Sequence, residues 1–345
     1  MSATAVAATS TPARRGPPVE LVINNILLLA LVLLIVYFST QSASFLTVSN
    51  FKVILTNYAA IGVVAAVMAL LVISGQVDMS VGSNIGFSGM VTAIAMASWE
   101  VPAAVGVLIG VGTGAGVGLV NGILCAYLRF SPIIVTLGML SVLRGATLLT
   151  NSIEIAGLGD TFFWIGNGSM LGMPVLLWVV FAVFLLSAAF LTFTVWGRYV
   201  YAIGVNPQVA FLAALPVRRV VLALYVATGT AAGLAGVLLV ARLDGASPGS
   251  LGLQMELQTL TIVLLGGVAF AGGRGHIFGV FTAWVFLGVL DNGLVILNVP
   301  PFVQLVANGL ALVFAASLDA LGTYLAPRLE QRRRVNEQVA RVTAT

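Results

Sequence analysis

Long apolar runs separated by short polar breaks occupy most of the chain between residues 21 and 322. A helix needs about 20 apolar residues to cross the hydrocarbon of a bilayer. By that rule the pattern predicts spans at 21–39, 53–74, 81–98, 102–125, 133–150, 174–194, 220–240, 257–272, 277–297 and 302–322. The fold class it predicts is all-α, a polytopic membrane protein of about ten transmembrane helices. Three regions follow. Residues 1–20 are small, polar and proline-bearing, and read as a disordered tail. Residues 21–325 form the transmembrane domain, and 326–345 a basic tail. The first run is too long for a signal-peptide core, so it is read as a retained helix, although the SAS at 42–44 resembles a cleavage site.

Composition agrees. Sixty percent of residues are hydrophobic and 8% are charged, against about 25% charged in soluble domains. Mean hydropathy is +1.10. Arginine and lysine then set the orientation. With the N-terminus in the cytoplasm, Arg14, Arg15, Arg129, Arg198, Arg218, Arg219 and Arg274 fall on the cytoplasmic side, as do Arg328, Arg332, Arg333, Arg334 and Arg341 of the tail. Lys52 and Arg242 fall outside, and Arg144 lies within a span. Both termini are therefore expected in the cytoplasm. The net charge of +4 is a topology signal, and no nucleic-acid partner is expected.

Several chemistries are excluded. One cysteine, Cys125, allows no intrachain disulfide and no thiolate cage, and one histidine, His276, allows no multi-histidine metal site. Lys52 is the one lysine, set between Phe51 and Val53, so no phosphate-cradling Gly-Lys-Ser/Thr loop exists. If ATP powers this protein, another polypeptide hydrolyses it. No catalytic residue, cofactor or metal site is expected.

Four stretches carry the candidate function. In GQVDMSVGS, residues 75–83, Asp78 and Ser80 stand between two apolar runs. Both residue types favour helix starts, where their oxygens accept from unpaired N–H groups. Gly75 and Gly82 permit a tight break. Asp78 is thus expected to start a helix at a broken or re-entrant point, with a substrate or proton role as the sharper alternative. In the span at 102–125, Gly106, Gly110, Gly114, Gly118 and Gly122 recur every four residues, a ridge that lets another helix approach closely. The connection at 196–219 is cytoplasmic by charge. Asn206-Pro207 reads as a helix start and QVAFLAAL as a short helix exposing Phe211, Leu212 and Leu215. That face must bury against this protein, the membrane or a partner. Finally, GGVAFAGGRGHIFG at 266–279 reads as a tight cytoplasmic turn. Arg144, Glu256, Asp291 and Asp319 are charges within or bordering spans, and such groups face the protein interior. A short echo relates LVNGIL at 119–124 to DNGLVIL at 291–297, bringing Asn121 and Asn292 into the candidate set.

Taken together, these stretches resemble the permeases of ribose-type ABC sugar importers, with the branched-chain amino acid permeases as more distant relatives. The likeness runs from about residue 50 to 320 through four ordered segments: GQVDMSVGS; SPIIVTLGMLSVLRG at 131–145, which includes Thr136; GRYVYAIGVNPQVAFLAAL; and ELQTLTIVLLGGVAFAGGRGHIFG. Three departures stand out. The family usually has arginine where Phe211 follows Ala210, glycine where Ala214 stands, and an acid where Gln258 follows Glu256-Leu257. The resemblance implies a transmembrane subunit working as a pair, with a second copy or a paralogue. It also implies two cytoplasmic ABC ATPase subunits and an extracytoplasmic sugar-binding protein as partners. It makes 206–215 a coupling helix seated in the ATPase, carried by Asn206, Pro207, Ala210, Phe211, Leu212 and Leu215. Gly75, Asp78, Ser80, Gly82, Thr136, Asn121 and Asn292 are the expected helix-break or path residues. A bacterial inner-membrane location follows. The alternative is an ion-coupled secondary transporter that uses Asp78 or Asp291. An intramembrane enzyme lacks its residues.

Overall fold

The computed structural model describes residues 19–317. Residues 1–18 of the expected N-terminal tail, the expected basic tail, Asp319 and the arginine cluster from 328 onward lie outside the described residues, and residues 19–20 already belong to the first helix. Helices dominate: α1 (Val19–Gln41), α2 (Val48–Asn57), α3 (Ala59–Ile73), α4 (Val81–Ser98), α5 (Ala103–Gly122) running on as a π-turn through Tyr127, α6 (Pro132–Thr150), α7 (Asp160–Asn167), α8 (Val175–Phe193), α9 (Val195–Val205), α10 (Pro207–Leu212), α11 (Val217–Leu243), α12 (Met255–Leu265) and α13 (Ile277–Ile296). A last helix, α14 (Pro301–Ser317), follows. Two two-stranded ribbons lie in the connections. Ile155–Ala156 pairs antiparallel with Gly245–Ala246, and Ser169–Met170 with Met173–Pro174.

Among the described residues, six helices are long and apolar enough to span a membrane, or seven if the bent pair α2–α3 counts as one. Shorter apolar helices occupy the remaining expected positions, at Leu27–Gln41, Met255–Leu265 and Pro301–Ser317. Two of the predicted runs differ in form. The run at 53–74 is not one rod, because α2 and α3 meet at 57°. Tyr58 sits at the bend, and its carbonyl accepts both from Gly62 N–H at 2.9 Å and from the Trp284 indole at 2.8 Å. The run at 257–272 yields only the 11-residue α12. Gly266 caps it and Gly267 turns with φ +81°. A β-carbon on Gly266 would also meet the Val280 backbone at 2.6 Å.

The core is α3, which is buried almost throughout, with α11 beside it. The predicted glycine ridge is the seam between α5 and α11. A β-carbon on Gly114 would meet Gly233 Cα at 2.6 Å, and one on Gly122 would meet Leu222 Cδ1 at 2.7 Å. Gly110 packs against Thr92 and Val237, and Gly106 against Met96. The antiparallel order is explicit: Gly118 faces Tyr225, Gly114 faces Gly229, and Gly110 faces Gly233. Without hydrophobic drive inside lipid, such close backbone contact supplies the dispersion that holds helices together.

The two ends of the bundle keep the charge pattern apart. Lys52 Nζ donates to the Gly172 carbonyl at 2.6 Å, and Arg242 donates to Asn167 and Asn57. All five residues share one end. Arg274 lies in the turn that closes the other end against the last residues of α3 and α9.

Candidate functional site

Asp78 is 1% exposed and lies in the break between α3 and α4. It does not cap α4 directly, because Ser80 holds the cap position. Instead its Oδ1 accepts from the Ser80 backbone N–H at 2.8 Å and from Ser80 Oγ at 2.6 Å. Its Oδ2 accepts from Asn121 Nδ2 at 3.3 Å, and the same amide donates to Ser80 Oγ at 2.9 Å. Thr136 of α6 closes the other side, its Oγ1 accepting from Met79 N–H at 3.0 Å. Four of the sequence-derived residues, from three elements, thus form one buried polar knot.

Gly75, at φ +79°, makes the turn that leads into this knot. Gly82 opens α4 and has Glu256 pressed against it. A β-carbon there would collide with the Glu256 carboxylate and lie 2.9 Å from the Gly252 carbonyl. Asn292 does not join the knot. It accepts from Asn50 Nδ2 at 3.0 Å, beside a separate cluster in which Tyr58 Oη and Asn308 Nδ2 both donate to Asp291 Oδ2.

The connection at 196–219 holds α9 and α10. Asn206 Oδ1 accepts from the N–H groups of Gln208 and Val209, both at 3.0 Å, and Pro207 takes the first helical position. Ala210 is buried, whereas Phe211 is 62% and Leu212 83% exposed. Leu215, expected on the exposed face, is half-buried and packs against the main core. Ala214 sits at φ +58°, a left-handed conformation in which glycine is at ease. That accounts for the glycine usual at this point in the resembled family.

The glycine-rich turn at 266–276 ties this region to the Asp78 break. Gly273 N–H donates to the Ile73 carbonyl at 2.8 Å, and Tyr201 Oη donates to the Gly275 carbonyl at 2.8 Å. A β-carbon on Gly272 would meet Gly75 Cα at 2.8 Å, and one on Gly273 would meet Val205 Cγ2 at 2.8 Å. The end of α3, the end of α9 and this turn therefore touch backbone to backbone, one residue before Asn206.

Among known families, a model described as branched-chain amino acid transport system / permease component matches residues 50–316. The chain belongs to this family. Ribose import permease protein RbsC of Escherichia coli (strain K12) is 35% identical over 297 residues, covering 85% of this chain and 92% of the relative. L-arabinose ABC transporter permease protein AraH of Azospirillum brasilense is 34% identical over 314 residues, covering 90% and 92%. Fructose import permease protein FrcC of Rhizobium meliloti is 30% identical over 302 residues, covering 85% and 84%. No solved structure matches the chain.

This permease is a multi-pass membrane protein and a transport component rather than an enzyme. Its central polar layer is wider than the sequence reading had it. Tyr225 Oη donates to the Val77 carbonyl at 3.1 Å. Asn84 Nδ2 donates to the Gly114 carbonyl at 3.3 Å, and Ser88 Oγ to Asn84 Oδ1 at 2.9 Å. Arg144 of α6 donates to the Leu251 and Gly252 carbonyls at 3.0 and 3.3 Å. Asn84 and Ser88 carry a signal, a polar i, i+4 pair that Thr92 continues along the same face. Tyr225 carries none, since an isolated tyrosine in a span is equally at home at a membrane interface.

Proposed function

We propose that this chain is the membrane subunit of an ATP-driven importer that moves a monosaccharide or related polyol inward across a bacterial inner membrane. The observation that carries the reading is the end-to-end likeness to permeases named for ribose, arabinose and fructose import. A sugar-loaded binding protein docks on the outer connections. Closure of the ATPase pair moves α10, and two permease chains, identical or paralogous, switch access. The span count in this reading is ten, with α2–α3 as one bent span and the three shorter apolar helices inserted. Both termini are cytoplasmic.

Within it, α10 is the coupling helix. Phe211 and Leu212 are the side chains given to the ATPase, and Asn206 and Pro207 fix the helix start. Ala210 and Leu215 hold it to the bundle. Gly75, Asp78, Ser80, Gly82, Asn121 and Thr136 form the hinge at the broken helix. Asn292 belongs to the outer cluster with Asn50. Coupling requires that α10 contacts differ between the nucleotide states of the ATPase.

The test is a mild-detergent pull-down of the tagged chain from native membranes, read by mass spectrometry. An ATPase carrying its own phosphate-binding loop, at near-equal amount, is the expected companion. A homo-oligomer alone across several gentle detergents would overturn the reading in favour of ion-coupled transport.

A further inference from the structure

Helix α12 is half a span. Its 11 residues rise about 16 Å at 1.5 Å per residue, against about 30 Å of hydrocarbon. Where it begins can be read against α11. Arg218 and Arg242 stand at opposite ends of that helix, about 36 Å apart along its axis. Parallel to it, α4 is locked in register: Val77 meets Tyr225, Asn84 meets Gly229, and Gly89 meets Gly236 and Val240. The Gly82–Gly86 stretch of α4 therefore lies level with the middle of α11. Against that stretch stand the Leu251 carbonyl, the Gly252 carbonyl and Glu256. After its ribbon at Gly245–Ala246, the chain dips from the Arg242 end to mid-membrane before α12 starts.

At its deepest point the dip is irregular and open. Gly252 has φ +71° and Gln254 φ +61°. Gln254 is exposed and precedes α12 without a side-chain cap bond. Leu253 is 55% and Leu257 42% exposed, while Leu251 and Gly252 are buried. Exposed non-helical backbone does not occur against lipid tails, where its polar groups have no water. At such depth it is tolerated only beside a water-filled cavity or covered by protein. A glutamine held left-handed at that depth, where an ordinary residue is strained, points to use rather than packing. Arg144 takes up the Leu251 and Gly252 carbonyls. It thereby holds the dip in place from α6.

We infer that residues 252–254 and the first turn of α12 line the solute path. The Gln254 amide is its mid-depth hydrogen-bonding contact for a polyhydroxylated solute, and Arg144 is the residue that positions it. A primary amide both donates and accepts, which matches a sugar hydroxyl and carries no charge to trap a neutral solute. This rests on the sugar-import reading for the identity of the solute, but not for the presence of water at Gln254.

The test uses the full chain in its native membrane with buried Cys125 replaced by alanine, which leaves no other cysteine. Gln254→Cys is exposed to a charged methanethiosulfonate reagent from each side, in intact cells and in inverted vesicles. Leu185→Cys, 71% exposed on α8, is the lipid-facing control. Labelling of Gln254→Cys from at least one side, about tenfold faster than the control, is expected. Labelling no faster than the control from both sides would overturn the proposal. So would a Gln254→Cys disulfide to a second copy without aqueous labelling, which would make the surface a permease seam.

In uptake assays with radiolabelled pentoses and hexoses, Gln254→Leu should lower the maximal rate about tenfold, the worth of one hydrogen bond, with the half-saturating concentration unchanged. Gln254→Asn should keep most of the rate. Arg144→Ala should slow labelling of Gln254→Cys, and Arg144→Lys should restore part of it. Equal rates in Gln254→Leu and the parent would also count against the proposal. Absence of ATP-driven uptake by the parent chain would fail the importer reading instead, while leaving the labelling result readable.

Discussion

Replacing Asp78 separates a structural carboxylate from a transported charge. In the native knot its two oxygens accept three hydrogen bonds, two from Ser80 and one from Asn121. Asp78→Ala leaves those donors without acceptors inside a site that is 1% exposed. Each orphaned buried group costs about 1–3 kcal/mol. Local rearrangement among Ser80, Asn121 and Thr136 recovers some of that, so a net loss on the order of 3–5 kcal/mol is expected. Asp78→Asn differs. Its amide oxygen keeps both Ser80 bonds, and its new donor needs an acceptor where Asn121 Nδ2 now points. Turning the Asn121 amide over supplies one, but it gives up the bond to Ser80 Oγ and carries the NH2 to where Oδ1 now has no partner. The expected cost is about 1–2 kcal/mol, still below that of alanine. Thermal unfolding of the solubilised chain should fall by roughly 5–10 °C for alanine and by about 2–4 °C for asparagine, with uptake retained in the latter. Equal damage from both substitutions would refute the hydrogen-bond accounting. Lost uptake in Asp78→Asn with melting lowered no further than this would show that the negative charge itself is used, as in an ion-coupled transporter.

Phe211→Glu with Leu212→Glu should abolish uptake and co-purification of the ATPase while insertion and melting stay unchanged, since both side chains are free of the bundle. Normal uptake in that double variant would remove α10 from its coupling role. Ala214→Gly relieves a left-handed alanine at φ +58° and should stabilise the solubilised chain by about 0.5–1 kcal/mol, read as a small rise in melting temperature. On α5, Gly114→Val drives side-chain carbons into the Gly229 and Gly233 backbone and should cost about 3 kcal/mol or more. Gly116→Ala on the open face, where a β-carbon meets nothing within 4 Å, should be neutral or stabilising by up to about 1 kcal/mol. Similar melting of the two variants would refute the seam.

The sequence by itself determined the apolar periods and therefore almost every helix, because burying backbone in lipid leaves a helix as the only solution for a lone segment. The start of α4 at Val81 and the capped start of α10 were both legible, since glycine, proline and Asx chemistry act within a few residues. So was the glycine ridge, because a four-residue repeat fixes one face of a helix whatever it meets. Tertiary structure decided the rest. The bend at Tyr58 is where the Trp284 indole, 226 residues away, meets the backbone, and no local signal reports that contact. Asn121 and Asn292 look alike in sequence, yet one completes the Asp78 knot and the other pairs with Asn50, because a polar group in a span takes whatever partner packing delivers. Leu215 turned inward because the left-handed turn at Ala214 carries the chain back onto the apolar core. The shortness of α12 followed from where α4 offered Gly82 and Gly86, two positions without side chains against which a descending backbone could close.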